Sequence, residues 1–214
     1  METIEKTKRR ETALTRPKRP TVSLESLIYE VMDGEPIYYK GYRDVLSGKK
    51  TAEEIMGSST LQWIICSYFM QVMYRQLDSK KYWFASSEAG VHLNHRNNLA
   101  HDVAIYDRAV LTPDKINTRY ADVPAKIGIK VDVKADISKE NDANYVNRKT
   151  RKLLDFGSEK IIWIFTSTQQ IMVAEQGADA WLTMDWHRDL ELTDGQFFNL
   201  GQYLADEGIT VEVD

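Results

Sequence analysis

The chain has 214 residues, of which 43% are hydrophobic and 28% are charged, and its formal net charge is −4. This composition is typical of a globular protein with a sizeable core, and no apolar stretch reaches the ~20 residues that a membrane span requires. The single cysteine, Cys66, excludes an internal disulfide, and the charged N-terminal segment has no apolar signal region. These features predict a cytoplasmic protein and exclude disulfide-stabilised and membrane-spanning classes.

The charge is distributed unevenly. Residues 1–20 hold seven Lys or Arg against three Glu, a local charge of +4, which leaves −8 for the rest of the chain. We predict a basic, flexible arm over 1–20 and one domain over 21–214. Such an arm can contact nucleic-acid phosphates, and a solvated, disordered terminus is the alternative. The acidic body argues against strong non-specific binding to DNA unless positive charge is gathered locally or a metal supplies it.

The sequence of the first half of the domain predicts a hairpin and one long helix. A short helix from Ser23 precedes a hairpin that turns at Asp33-Gly34, and "TAEEIM" predicts one or two helical turns. After "GSS", a helix begins with Ser58, Ser59 or Thr60 as its N-cap. Its apolar residues fall on one stripe, so this helix is expected to be largely buried. The stripe consists of Leu61, Ile64, Ile65, Tyr68, Phe69, Val72 and Met73.

The second half predicts strands that alternate with helices. Strands are expected at "YWFASS", "GVHL", "AHDVAIYD", which Asp102 opens, and "KIGIKVDVKADI", and a helix that Gly157 ends follows. The apolar run "KIIWIF" suits a strand buried on both faces. Strands at "QQIMVAE" and "AWLTMDW" and a helix over "DGQFFNLGQYLAD" complete the chain. The order predicts an α/β fold, a mixed sheet flanked by helices with extra strands at both ends.

Two acids suggest a metal site. Asp102 and Asp132 lie on strands that can be neighbours in the sheet, and Lys134 lies on the same strand face as Asp132. Converging carboxylates suit Mg²⁺ or Mn²⁺, and an amine beside the ion can orient the attacking water. A site of this kind hydrolyses phosphodiesters, because the metal lowers the pKa of a bound water and offsets charge in the transition state.

The pattern of an aspartate followed by Asp-x-Lys in an α/β sheet resembles the PD-(D/E)XK nuclease superfamily. Residues 25–175 more closely resemble the Uma-type family of bacterial restriction-endonuclease-like proteins. The resemblance rests on "YEVMDGE", "HDVAIYD", "VPAKIGIKVDVKAD" and "KTRKLLDFGSEKIIWIF". It implies a restriction-endonuclease-like fold, a DNA substrate, Asp102 as the first metal ligand and Lys149 as the helical lysine of the site. It also implies a homodimer, because cutting a duplex requires two sites.

This sequence departs from the family pattern in two places. Aligned by its flanks, the family's strand glutamate falls at Lys130, and Asp132 follows two residues later. The histidine that some relatives carry at the start of the long helix is replaced by Leu61 or Gln62, and Gln62 is a possible neighbour of the metal. Two functions stay open: a magnesium-dependent DNA endonuclease, and an inactive binding or assembly protein with the nuclease fold.

Each candidate residue also has a simpler interpretation. Asp102 is alternatively a strand-start residue, Asp132 with Lys134 a surface ion-pair strip, and Lys149 part of an exposed lysine face. A third acid is available from Glu30, Glu53 or Glu54, and a zinc site from His92, His95 and His101 is the rival metal hypothesis. Cys66 lies on the apolar face of the long helix, which indicates a structural thiol.

Overall fold

The computed structural model describes residues 22–136 and 142–211. A single 3-10 turn, Glu25–Leu27, replaces the short helix predicted from Ser23, and strands β1 (Ile28–Met32) and β2 (Glu35–Tyr38) follow it. Asp33 and Gly34 join these strands with φ values of 59° and 82°, the backbone of a tight hairpin turn. The predicted hairpin is therefore confirmed, whereas the predicted basic arm, 1–20, lies outside the described residues.

Three helices come next: α1 (Tyr42–Leu46), α2 (Ala52–Met56) and α3 (Thr60–Gln76). The side chain of Ser59 caps α3, where it accepts a hydrogen bond of 3.1 Å from the Gln62 N–H. The predicted stripe of α3 packs against one face of the sheet, and Ile65, Phe69 and Met73 are fully buried there. Both the helix and its buried face are confirmed.

The two short strands predicted before the polar turn form one long strand, β3 (Tyr82–Asn94), which pairs with β4 (Asn97–Asp107). Its register shifts between Ser86 and Ala89, where Ser87 and Glu88 have positive φ angles and form a bulge, and again between His92 and Asn94. Asp102 lies in the middle of β4 and does not open it, which corrects the predicted boundary.

The next strand is shorter than predicted. Strand β5 runs only over Ile127–Val131, because Asp132 has a φ of 56° that an extended strand does not allow. Helix α4 (Asp142–Phe156) and strands β6 (Lys160–Phe165), β7 (Gln170–Glu175) and β8 (Leu182–Asp185) follow. The end of the predicted strand, at Ile137, lies outside the described residues.

The described strands form an eight-stranded sheet in the order β2-β1-β4-β5-β6-β7-β8, with β3 also paired to β4. Strands β5 and β6 are parallel, and their neighbours are antiparallel, so the sheet is mixed as predicted. Helix α3 covers one face with an apolar core that includes Ile129 and Ile162, and α4 covers the other face with a core around Trp163. The continuous apolar sequence of β6 follows from this burial on both faces.

The C-terminal helix is shorter than predicted. Asp194 and Gly195 have positive φ angles and turn a small hairpin of β9 (Leu190–Thr193) and β10 (Gln196–Phe198). Helix α5 (Leu200–Asp206) begins only after Asn199, whose side chain caps it. Among the described residues, no helix is both long and apolar enough to cross a bilayer.

Candidate functional site

A fork in the sheet creates the candidate site. One edge of β4 pairs with β1 at Asn98 and with β5 at Val103, so Asp102 lies between the two pairings. Polar side chains from β1, β4, β5, α3 and α4 meet at this fork and are largely withdrawn from solvent. We refer to them as the charge cluster, which comprises Tyr29, Glu30, Gln62, Asp102, Lys130, Tyr145 and Lys149.

Asp102 and Lys130 form the first ion pair of the charge cluster. The register that pairs Val103 with Ile129 brings Asp102 opposite Lys130, and Asp102 Oδ2 lies 3.0 Å from Lys130 Nζ. The same oxygen accepts the Val131 N–H at 2.8 Å, and Oδ1 accepts the Gln62 side-chain amide at 3.1 Å. Burial alone would raise the pKa of Asp102, but the Lys130 ammonium and the Val131 N–H lower it below its usual value, so the carboxylate is ionised.

The ammonium of Lys130 is held from a second side. It donates a hydrogen bond of 3.0 Å to the Tyr29 hydroxyl, and the Lys130 side chain is 1% exposed. Burial would lower the pKa of Lys130, but the surrounding oxygens, including the Asp102 carboxylate, raise it well above its usual value. Lys130 is therefore a permanent buried cation in the centre of the site.

Lys149 and Glu30 form the second ion pair. Lys149 Nζ donates to Glu30 Oε1, which also accepts the Ala100 N–H at 3.1 Å, while the Tyr145 hydroxyl donates to Oε2 at 2.7 Å. Burial is the main cause that lowers the pKa of Lys149 to about 8, and the nearby Lys130 charge adds to it. The alternative of an exposed lysine face is wrong for Lys149, since this residue is fully buried. Its ammonium does not face a nucleic acid at the surface in this conformation.

His101 is the one cluster neighbour whose polar atoms lack partners in the described part of the chain. Both ring nitrogens are buried without a hydrogen bond. A Cβ atom added to Gly128 would lie 2.3 Å from the imidazole, so the ring needs a glycine there. Burial and the positive charges of Lys149 and Lys130 lower the pKa of His101 to about 3, which keeps the ring neutral.

The predicted second acid has other partners. Asp132 accepts the Thr166 N–H at 2.8 Å and the Thr166 hydroxyl at 2.7 Å, and so joins the end of β5 to the end of β6. Lys134 donates to the Ser58 hydroxyl at 3.1 Å and lies 3.7 Å from Glu88. The structure therefore brings Asp102 together with Lys130 and Gln62, and it places Asp132 and Lys134 in separate contacts, because the strand ends at Val131.

The residues present do not fit a magnesium or manganese ion at Asp102. Mg²⁺ requires several oxygen ligands at about 2.0–2.1 Å, and here both carboxylates at the fork already pair with an ammonium, Asp102 with Lys130 at 3.0 Å and Glu30 with Lys149. Among the described residues, no three His, Cys, Asp or Glu side chains are grouped to hold a metal, and His92, His95 and His101 form no such group either. Lys130 stands where the resemblance to the Uma-type family places a glutamate.

The sequence predicts several residues of the charge cluster but not the way in which they pair. The sequence predicts Asp102 and Lys149 at the site and offers Gln62 and Glu30 as neighbours, but it does not predict that each acid pairs with a lysine. The sequence patterns assign Tyr29 and Tyr145 no place at the site. Lys130 is the residue in the sequence that points to this pairing, because it lies on the same strand face as Gly128 within an otherwise apolar run. In the structure all five residues of that strand are buried.

Comparison with known proteins supports the fold. No protein-family model and no curated protein matches the chain. Among solved structures, the chain is similar to one from Anabaena variabilis described as "a putative nuclease belonging to DUF820", with a TM-score of 0.58 and 9% identity. The match covers 82% of this chain and 89% of the Anabaena chain. This chain thus has the fold of that nuclease-like protein, a mixed sheet flanked by helices.

Proposed function

We propose that this chain is a catalytically inactive, nuclease-fold binding or assembly protein in which Lys130 takes the place of a divalent cation. The observation that supports this is the 3.0 Å contact between the Lys130 ammonium and Asp102 at the fork of the sheet. The cluster carries two lysines and two carboxylates, so its formal charge is zero without a metal. A cation added to it would have to overcome the repulsion of a buried ammonium.

The two ion pairs give the fork a structural role. Asp102 joins β4 to the end of β5 and to α3, and Glu30 joins β1 to β4 and α4. All four charged groups have at least one hydrogen-bonded or ionic partner, which is the condition under which buried charges are tolerated. The site thereby stabilises the positions of five elements, and the surface around it is left to bind a partner.

A plasmid assay tests this proposal. Supercoiled plasmid is incubated with Mg²⁺ or Mn²⁺ and with wild type, Lys130→Glu or Lys126→Glu protein. Lys126→Glu is the matched control, since it makes the same charge change one residue before β5, where Lys126 pairs with the exposed Glu159. We expect no cutting by wild type or by the control, and metal binding by Lys130→Glu that Asp102→Asn removes.

A result contradicts the proposal if wild-type protein nicks plasmid with Mg²⁺ and Asp102→Asn abolishes that activity. Metal binding is followed separately, as a rise in the melting temperature of Lys130→Glu with added Mg²⁺. If the Kd for Mg²⁺ is 1% of the added Mg²⁺ concentration, the ion raises the free energy of unfolding by about 2.7 kcal/mol. This readout does not depend on whether the variant cleaves.

The second candidate is a metal-dependent DNA endonuclease, which the likeness to a nuclease-like fold and the ionised Asp102 favour. It is the function that the resemblance to the Uma-type family implies, with Asp102 and Asp132 as metal ligands, Lys134 and Lys149 as catalytic residues, and a homodimer. It requires Lys130 to leave Asp102 and Asp132 to leave Thr166. Plasmid cutting by wild type that Asp132→Asn removes would favour it, since this variant keeps an acceptor for Thr166.

A further inference from the structure

A surface next to the charge cluster combines aromatic rings with positive charge. We call it the basic patch, and it consists of Tyr38, Lys40, Tyr42, Arg43, Lys49 and Lys50. The rings of Tyr38 and Tyr42 stack with centroids 4.6 Å apart, and the Arg43 guanidinium lies 5.1 Å from the Tyr42 centroid. Both tyrosines are half-buried, and the four basic residues are exposed.

The positive charge is concentrated locally in an acidic protein. Residues 38–50 hold four Lys or Arg and one Asp, a charge of +3, which leaves −7 for the rest of the chain. The loop after α1 folds back, because the N–H groups of Lys49 and Lys50 donate to the Asp44 carbonyl at 2.8 and 3.2 Å. Both ammonium groups are thus carried on the same short segment as Arg43.

Among the described residues, two cations of the basic patch pair with acids at long distances. Arg43 lies 3.8 Å from Asp136, and Lys49 lies 4.0 Å from Asp44; both cations are more than half exposed, at 61% and 75%. The Asp136 side chain is only 14% exposed, but both cations face solvent, and pairs this long at a surface contribute about 1 kcal/mol or less, so a phosphate can compete for them. This is the local gathering of charge that an acidic body needs to bind a polyanion.

The basic patch is connected directly to the fork. Tyr39, between two patch residues, places its ring edge-to-face against Tyr29 with centroids 5.0 Å apart, and Tyr29 accepts the hydrogen bond from Lys130. The Lys40 N–H donates to the Lys134 carbonyl at 2.7 Å. A ligand on the patch therefore lies close to the charge cluster, separated from Lys130 by the rings of Tyr39 and Tyr29.

We infer that the basic patch binds single-stranded nucleic acid, with phosphates on the lysines and Arg43 and a base stacked on the tyrosine pair. Stacked aromatic rings beside cations are how proteins hold single strands without reading their sequence. An acidic peptide would use the charges but has no flat ring system for the tyrosines. The inference rests on the proposed function, because it describes binding without hydrolysis.

Fluorescence anisotropy with a labelled 20-nucleotide oligo(dT), in EDTA, tests the inference. The full-length chain is compared with Lys49→Glu/Lys50→Glu and with the control Arg75→Glu/Lys80→Glu, which makes the same charge change at the far end of α3, in its last turn and just after it. That helix has 17 residues and is about 25 Å long. We expect the patch variant to bind about tenfold more weakly and to lower the slope of log K against log salt by about 1.4.

The tyrosine pair has its own test. We expect Tyr42→Leu to weaken single-strand binding about tenfold without changing the slope of log K against log salt. Tyr42→Phe is expected to bind like wild type, because stacking needs the ring and not the hydroxyl. The inference is overturned if wild type does not bind, if both double variants lose affinity equally, or if oligo-glutamate or duplex DNA competes as well as oligo(dT). Failure here is separate from failure of the proposed function, which only plasmid cutting with metal would show.

Discussion

Replacing Lys130 with methionine removes the buried cation while keeping most of the side-chain volume. Asp102 then stays buried with hydrogen bonds from Val131 and Gln62 but without the ammonium that pairs with it. At the observed 3.0 Å, Coulomb's law with an effective dielectric constant of 20 gives an attraction of about 5.5 kcal/mol. Removing the ammonium also removes the cost of burying it, which offsets part of the lost attraction. We therefore expect the free energy of unfolding to fall by about 3–5 kcal/mol.

The assay is urea unfolding of four proteins in a double-mutant cycle: wild type, Lys130→Met, Asp102→Leu and the double variant. We expect the double variant to be more stable than the sum of the single losses predicts, because a pair of apolar groups leaves no unpaired charge. Lys126→Met is the control at an ion pair that solvent reaches, in which the Lys126 side chain is 17% exposed. Its partner Glu159 is 60% exposed, so its loss is expected to stay below about 1 kcal/mol.

The reasoning is refuted if Lys130→Met costs no more than Lys126→Met, or if the cycle shows additive losses. Either result would mean that the Lys130 ammonium is not the counter-charge of Asp102. Addition of Mg²⁺ is a further check on the same proteins. The wild-type unfolding midpoint is expected to be the same with and without the ion, at matched ionic strength.

Three further predictions concern residues around the charge cluster. His101 has a pKa of about 3 in the folded protein and about 6.5 in the unfolded chain, so between these pH values only the unfolded chain binds the extra proton. The free energy of unfolding therefore falls as the pH drops from about 6.5 to 3. His101→Phe is expected to flatten this part of a plot of unfolding free energy against pH, measured by urea unfolding. Gly128→Ala is expected to destabilise the protein by about 2 kcal/mol or more, measured by urea unfolding, because the new methyl group collides with the His101 ring. For Asp132, with a φ of 56° and two bonds to Thr166, thermal melts are expected to rank Asn above Gly and Gly above Ala; equal melting temperatures would contradict its role as a link between strands.

Local sequence signals predicted much of the fold. Three elements depend on residues that are close together in the sequence. Asp33-Gly34 adopts the positive φ angles of the hairpin turn, a serine caps the long helix after "GSS", and an apolar run forms the buried strand "KIIWIF". The errors lie where a local signal was ambiguous. Nothing in the alternation of "KIGIKVDVKADI" shows that the strand ends at Val131, because its pattern continues after the backbone has turned at Asp132.

The candidate site was predictable only in part. The resemblance led to Asp102 and Lys149, and both are in the charge cluster, as is Glu30, which was one of three possible third acids. The expected pairing of Asp102 with Asp132 needed a longer β5 than the chain forms. Lys130 was recognised as a departure from the family pattern, but its ionic contact with Asp102 depends on the register between β4 and β5.

By itself, the sequence determined the class of the protein, since composition, periodicity and turn residues act over a few positions and predict a mixed sheet covered by helices. Only the tertiary structure decided what the fork contains. Glu30 and Lys149 are 119 residues apart, and a buried charge takes whichever partner the packing brings within hydrogen-bond distance. The same lysines and acids would suit a metal site in one register and close it in another, and the structure has the closed arrangement.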